Sequence, residues 1–142
     1  MRPNQPALAN PLPFAAPMVG ANQLLLYVIR RMGAHGLHDA AATNALLGVF
    51  GINYRRPMIM LRAFMAETAR GADKKILIAA CCCARMTIDE ARLIEAIATS
   101  LDDPRGASML LRQTMGCNRD VGALSAAQAV CMAFSDLGRP LV

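Results

Sequence analysis

Glycines and prolines cut this chain into apolar-periodic segments of a few helical turns each, and that punctuation limits the folds open to it more than any other feature. Leu25, Val28, Ile29 and Met32 recur at helical spacing, which predicts a helix over about Asn22–Met32 that stops before Gly33. A second helix is expected after Gly36, over about Asp39–Phe50, with Leu46, Val49 and Phe50 inward. Pro57 suits the first turn of a third, where a missing N–H costs nothing, and this helix runs to about Arg70 before Gly71. Its stretch Met58-Ile59-Met60-Leu61 with Phe64-Met65 is apolar almost all round, the pattern of a central buried helix.

Further along, the start signals are explicit. Thr87-Ile88-Asp89-Glu90 is a T-x-x-E capping box, in which Thr87 and Glu90 satisfy each other's orphan amides. It should open a helix over Ile88–Leu101 with Ala91, Ile94, Ile97, Ala98 and Leu101 inside and an acidic exposed face. Asp103-Pro104 caps and opens the next, which ends at Gly116 with Ala107, Leu110, Leu111 and Met115 inward. Ser125-Ala126-Ala127-Gln128 reads as a second capping box, opening a helix that buries Ala127, Val130, Cys131, Phe134 and Leu137 before Gly138 and Pro140 stop it.

Composition agrees with helices. The chain is 55% hydrophobic, but alanine and ten methionines supply much of that, against four Phe, two Tyr and no Trp. Ala, Leu, Met and Arg favour helix, whereas the residues that favour strands are sparse. The expectation is an all-α, compact single-domain bundle or array of six short helices over residues 19–142. A seventh helix is added if the run leading into the cysteines is helical. Five prolines in residues 1–18 make that stretch an extended Pro-rich arm rather than a secretory signal. No apolar run reaches the ~18 residues of a membrane-spanning helix, so no membrane insertion is expected.

Ile76-Leu77-Ile78 leads into Cys81-Cys82-Cys83, and so short a run fits a buried helix or a strand equally well. The geometry of the cysteines depends on which it is. In a strand Cys81 and Cys83 point the same way; in a helix no two of the three share a face. A zinc site built from Cys81, Cys83, His35 and His38 is chemically reasonable, but CxC and HxxH spacings match no zinc signature. The competing reading makes the cysteines small apolar core residues and the histidines caps at a glycine-rich helix junction. An odd cysteine count with three adjacent is unlike a secreted disulfide framework, and points to a reducing cytoplasm.

The net charge of +5 is unevenly spread. Arg55, Arg56, Arg62, Arg70, Lys74 and Lys75 make one segment basic, while Asp89, Glu90, Glu95, Asp102 and Asp103 make another acidic. Solvated faces, contact with a protein partner or a second copy, and phosphate contact with nucleic acid through Arg55, Arg56, Arg62, Lys74 and Lys75 all fit. Reading of base edges does not, because the helix after Arg55-Arg56 is apolar. No phosphate loop, HExxH, GxSxG or EF-hand pattern is present.

The stretches "RRMGAHGLHDAAATNALLGVFG", "RRPMIMLRAFMAE", "CCCARMTIDEA" and "SAAQAVCMAFSDLGRPL" resemble a small family of alphaproteobacterial helical proteins of unknown function. The resemblance implies a small soluble helical protein of a bacterial cytoplasm and carries no activity. The expectation is therefore a non-enzymatic regulatory protein, without a cofactor, that binds a protein partner or forms a homo-oligomer. The alternatives are a zinc- or thiol-redox-responsive regulator at Cys81 and Cys83, and a nucleic-acid binder.

Overall fold

The computed structural model describes residues 12–18 and 20–142. Pro3, Pro6 and Pro11 of the expected arm lie outside the described residues. Six α-helices account for most of the rest: α1 (Gly20–His35), α2 (Ala40–Phe50), α3 (Arg55–Gly71), α4 (Ile88–Thr99), α5 (Pro104–Met115) and α6 (Val121–Asp136). A single 3-10 turn, Gly51–Asn53, joins α2 to α3. The all-α expectation holds, with one small addition. Phe14–Ala15 (β1) pairs antiparallel with Arg85–Met86 (β2), which ties the arm to the segment just before α4.

The helices associate chiefly as pairs. Gly36, at φ +101°, ends α1 and turns the chain so that Asp39 caps α2, accepting from the Ala42 N–H at 2.9 Å. In the tight turn between α4 and α5, Asp103 caps α5 by accepting from the Gly106 N–H at 3.0 Å. The longest interface joins α3 to α6, which run antiparallel: Arg56 meets Asp136 at one end, and Glu67 lies against Gly122 at the other. Leu61, Phe64, Leu93, Ile97, Leu111, Met115, Val130 and Phe134 fill the space between the pairs, fully or almost fully buried. Each such side chain contributes about 1.5–3 kcal/mol by leaving water.

Several local expectations are corrected by tertiary packing. Gly33 does not end α1 but lies inside it, because a side chain there would press on Ile78 at 3.3 Å; the glycine serves close packing, and Gly36 is the true stop. Val49 and Leu101 are exposed rather than inward. Ile59 is half exposed on α3, so that helix is amphipathic, with Met58, Leu61, Phe64 and Thr68 as its buried stripe. Ser125-Gln128 opens nothing: α6 begins at Val121, Ser125 sits exposed inside it, and Gln128 donates across to the Ser100 carbonyl.

The largest correction concerns the acidic face of α4. Asp89 and Glu90 are buried, which leaves Glu95, Asp102 and Asp103 as the acids outside.

Candidate functional site

Residues 72–84 form neither helix nor strand; they cross the surface as an extended segment and end in the cysteine turn. An irregular segment keeps its shape only if its backbone polar groups find partners. At its ends the partners are the Met115 carbonyl, which accepts from the Asp73 N–H, and the Ala16 N–H, which donates to the Ala84 carbonyl; between them they are the capping residue and first residues of α4 and one residue of α1. The predicted capping box is present in full: the Glu90 N–H donates to Thr87 Oγ1 at 3.0 Å, and the Thr87 N–H donates to Glu90 Oε1 at 2.9 Å. The same side chains also reach back to the extended segment. Thr87 Oγ1 donates to the Leu77 carbonyl at 2.7 Å, Asp89 accepts from the Leu77 N–H at 2.9 Å, and Glu90 accepts from the Ala79 N–H at 3.3 Å.

Arg30 completes this junction from α1. Its side chain is 3% exposed and that of Glu90 0%, and Nε donates to Glu90 Oε2 at 2.7 Å. Nη2 adds a bond to Glu90 Oε1 at 3.2 Å, a bidentate arrangement. The remaining donors point at backbone: Nη1 to the Cys83 carbonyl at 2.7 Å and Nη2 to the Arg85 carbonyl at 2.8 Å. Burial of this pair is tolerable because the surrounding groups use its remaining donors and acceptors. Among the described residues no buried side-chain nitrogen or oxygen lacks a partner. Arg85 in turn donates to the Leu12 and Pro13 carbonyls, so a continuous chain of bonds runs from α4 through Arg30 to the arm.

The junction holds the three cysteines in one turn. The Cys83 N–H donates to the Ala80 carbonyl at 3.0 Å, which leaves Cys81 and Cys82 as the two central residues. Cys82 is exposed, and Cys81 and Cys83 are half-buried. Beside them lies a groove of about 360 Å³, lined by all three cysteines, by Ala15 to Met18 of the arm and by Tyr27 and Arg30 of α1. The other two cysteines are different in kind. Cys117 Sγ donates to the Gly71 carbonyl at 3.0 Å and Cys131 Sγ lies 3.8 Å from that of Ala98, and burial pushes the Cys131 thiol up from its ordinary value.

His35 ends α1 and His38 follows in the next turn, both exposed. Among the described residues no three His, Cys, Asp or Glu side chains converge on a point where they could hold a metal ion, so Cys81, Cys83, His35 and His38 are not assembled as one set. The histidine junction is organised instead around an ion pair: Arg31 donates to both Asp39 oxygens, at 3.0 and 2.9 Å. The Arg31 guanidinium and the Ala42 N–H hold the Asp39 carboxyl at about 2, against its usual 3.8. A carboxyl depressed in the folded state contributes stability that is fully present above its unfolded value and is lost as pH falls through its folded one. Carboxyl-carbon NMR should therefore show Asp39 titrating near 2, and Arg31→Ala should return it toward 3.8. An unchanged value in that variant would remove Arg31 as the cause.

The basic residues also divide. Arg56 pairs with Asp136 at 2.9 Å, and Arg62 Nε donates to the Leu37 carbonyl at 3.0 Å, so both have structural duties. Arg55, Lys74 and Lys75 are exposed. They do not line one continuous helix face, because Arg55 opens α3 while the lysines follow its end. Asp120 shows how a buried acid outside the expected sites is used. Burial alone would raise its carboxyl, but the Ser108 hydroxyl at 2.5 Å and Arg112 at 2.9 Å outweigh that and hold it below the usual range.

The charge-free stretch Ala40 to Tyr54 reads from the sequence as a buried helix, but α2 keeps one side of it outside. The helix contains no charged side chain. Ala42, Leu46 and Phe50 face the core, and Ala40, Asn44, Leu47 and Gly48 form the exposed side, with Val49 at its flank and Ile52 just beyond. Leu47 is 45% and Ile52 93% exposed.

Fold and surface together define a small all-α protein with a charge-free exposed helical face and a groove lined by three thiols. Within that class, the chain belongs to a family of unknown function, DUF6628, whose model matches residues 6–136. No curated protein and no solved structure matches it. No helix among the described residues is long and apolar enough to cross a membrane.

Proposed function

We propose that this protein acts without chemistry of its own, by self-association through the outer face of α2, in a regulatory role in a bacterial cytoplasm. The observation that carries this reading is the charge-free exposed face of Ala40, Asn44, Leu47 and Gly48, continued by Ile52. Exposed apolar side chains scattered singly need no explanation, but grouped on one helix they mark contact surfaces.

A second copy suits this face better than an unrelated partner. A two-fold axis sets a helix against its own copy, so any charge near the axis meets its own kind. This chain carries +5 overall, and α2 is the helix whose surface avoids that repulsion. A side chain added at Gly48 would meet nothing within 4 Å in the chain itself, so the surface there is open to close approach. Antiparallel pairing of two α2 helices also sets opposite dipole ends together.

Light scattering on a size-exclusion column should give a dimer whose population rises with concentration. Leu47→Glu places a carboxylate in the contact and should weaken it at least about tenfold while leaving the circular dichroism of the fold intact. A monomer at every concentration overturns self-association, and a dimer unchanged by Leu47→Glu overturns the assignment to α2.

A further inference from the structure

The cysteine turn is ordered for reasons that have nothing to do with its side chains. The bonds that hold it use the Ala80 and Cys83 carbonyls and the Cys83 N–H. Among the described residues its three sulfurs make no hydrogen bond, whereas Cys117 and Cys131 both contact carbonyl oxygens. The result is three thiols with no hydrogen-bond partner among the described residues, in a fixed turn on the wall of one groove, with Cys82 the exposed member and Cys81 close enough to Arg31 to feel its charge. Arg85 adds an exposed guanidinium next to the turn; its hydrogen bonds go to the neutral Leu12 and Pro13 carbonyls, and no acid among the described residues forms an ion pair with it.

We infer that this groove is a thiol-modification site at which Cys82 exchanges with an anionic low-molecular-weight disulfide of the glutathione class. The Cys82 thiolate attacks one sulfur of the disulfide. The Cys82–sulfur bond forms as the disulfide bond breaks, and the displaced thiolate takes up the proton that the Cys82 thiol released. The electron count balances, because the incoming disulfide is the oxidant and one of its halves leaves reduced. The groove, about 360 Å³ and largely apolar, holds the attached group; Arg85, exposed three residues after Cys82 and outside the groove lining, adds positive charge beside the turn that attracts an anionic disulfide. The site is distinct from the α2 face, which contains no cysteine.

Oxidised glutathione is the probe, applied to the reduced full-length protein, with peptide mass spectrometry following the position and rate of attachment. The expected result is one glutathionyl group on the turn peptide, attached first at Cys82. Its rate should exceed that of the same cysteine in the urea-unfolded chain by about tenfold at low salt, and the excess should shrink as salt rises. Cys82→Ser should lower the native rate by at least that factor, while Cys117→Ser leaves it unchanged. Attachment spread evenly over the cysteines, or a native rate no faster than the unfolded one, would overturn the site. Because the readout is a rate and a position, it is independent of whether the chain dimerises.

Discussion

Replacing Glu90 by alanine is expected to lower the unfolding free energy by about 3–5 kcal/mol, a large share of the roughly 5–15 kcal/mol typical of a domain. The loss comes less from the missing attraction than from what stays behind. Arg30 keeps its charge in a site where its side chain is 3% exposed, and the Thr87 and Ala79 N–H groups lose their acceptor. The double change Arg30→Met with Glu90→Leu should recover only the part of that loss due to the stranded guanidinium, since the Thr87 and Ala79 N–H groups and the Cys83 and Arg85 carbonyls still lose their partners. Urea unfolding of Arg30→Met, Glu90→Leu and the double variant gives the coupling directly. Additive effects would show that the pair does not act as a unit.

The second large effect belongs to the core. Phe134 is fully buried on α6, and its ring meets that of Phe50 edge-on at 5.1 Å and 74°. Phe134→Ala should cost about 3–5 kcal/mol through lost transfer energy and the cavity it leaves. Leu101, which helical periodicity places inside α4, is 39% exposed. Leu101→Ala should therefore cost less than about 1 kcal/mol, and thermal melts of the two variants side by side test the corrected burial pattern. Equal losses would restore the inward reading of Leu101.

What could be read in advance divides by the range of the interactions involved. The capping box at Thr87 and Glu90, the Asp103-Pro104 start and the Gly116 stop are decided within one helical turn, and each stands as expected. The errors arise where a distant segment intervenes. Gly33 resembles a helix stop until Ile78 is seen packing on it, and the Ser125 box matches a local pattern that lies wholly inside α6. Asp89 and Glu90 are acids at a helix start, where the surface is their ordinary place; Arg30, sixty positions from Glu90, draws the second of them inside. Nothing in "VIRRMG" says which arginine turns inward. Arg30 joins the core and Arg31 binds Asp39, and the two differ only by ~100° of helical rotation.

The hydrogen bonds that hold the turn at Cys81-Cys82-Cys83 among the described residues all run through its main-chain atoms. Arg30, Thr87, Asp89 and Glu90 grip the backbone of residues 77–85 and leave the side chains of the cysteines ungripped. Alanine or serine in all three places would leave the same main-chain bonds in place, so the hydrogen bonding of the turn does not depend on sulfur. A position that the architecture holds in place while leaving its chemistry free is one where a new reactivity can be acquired or lost without touching the scaffold.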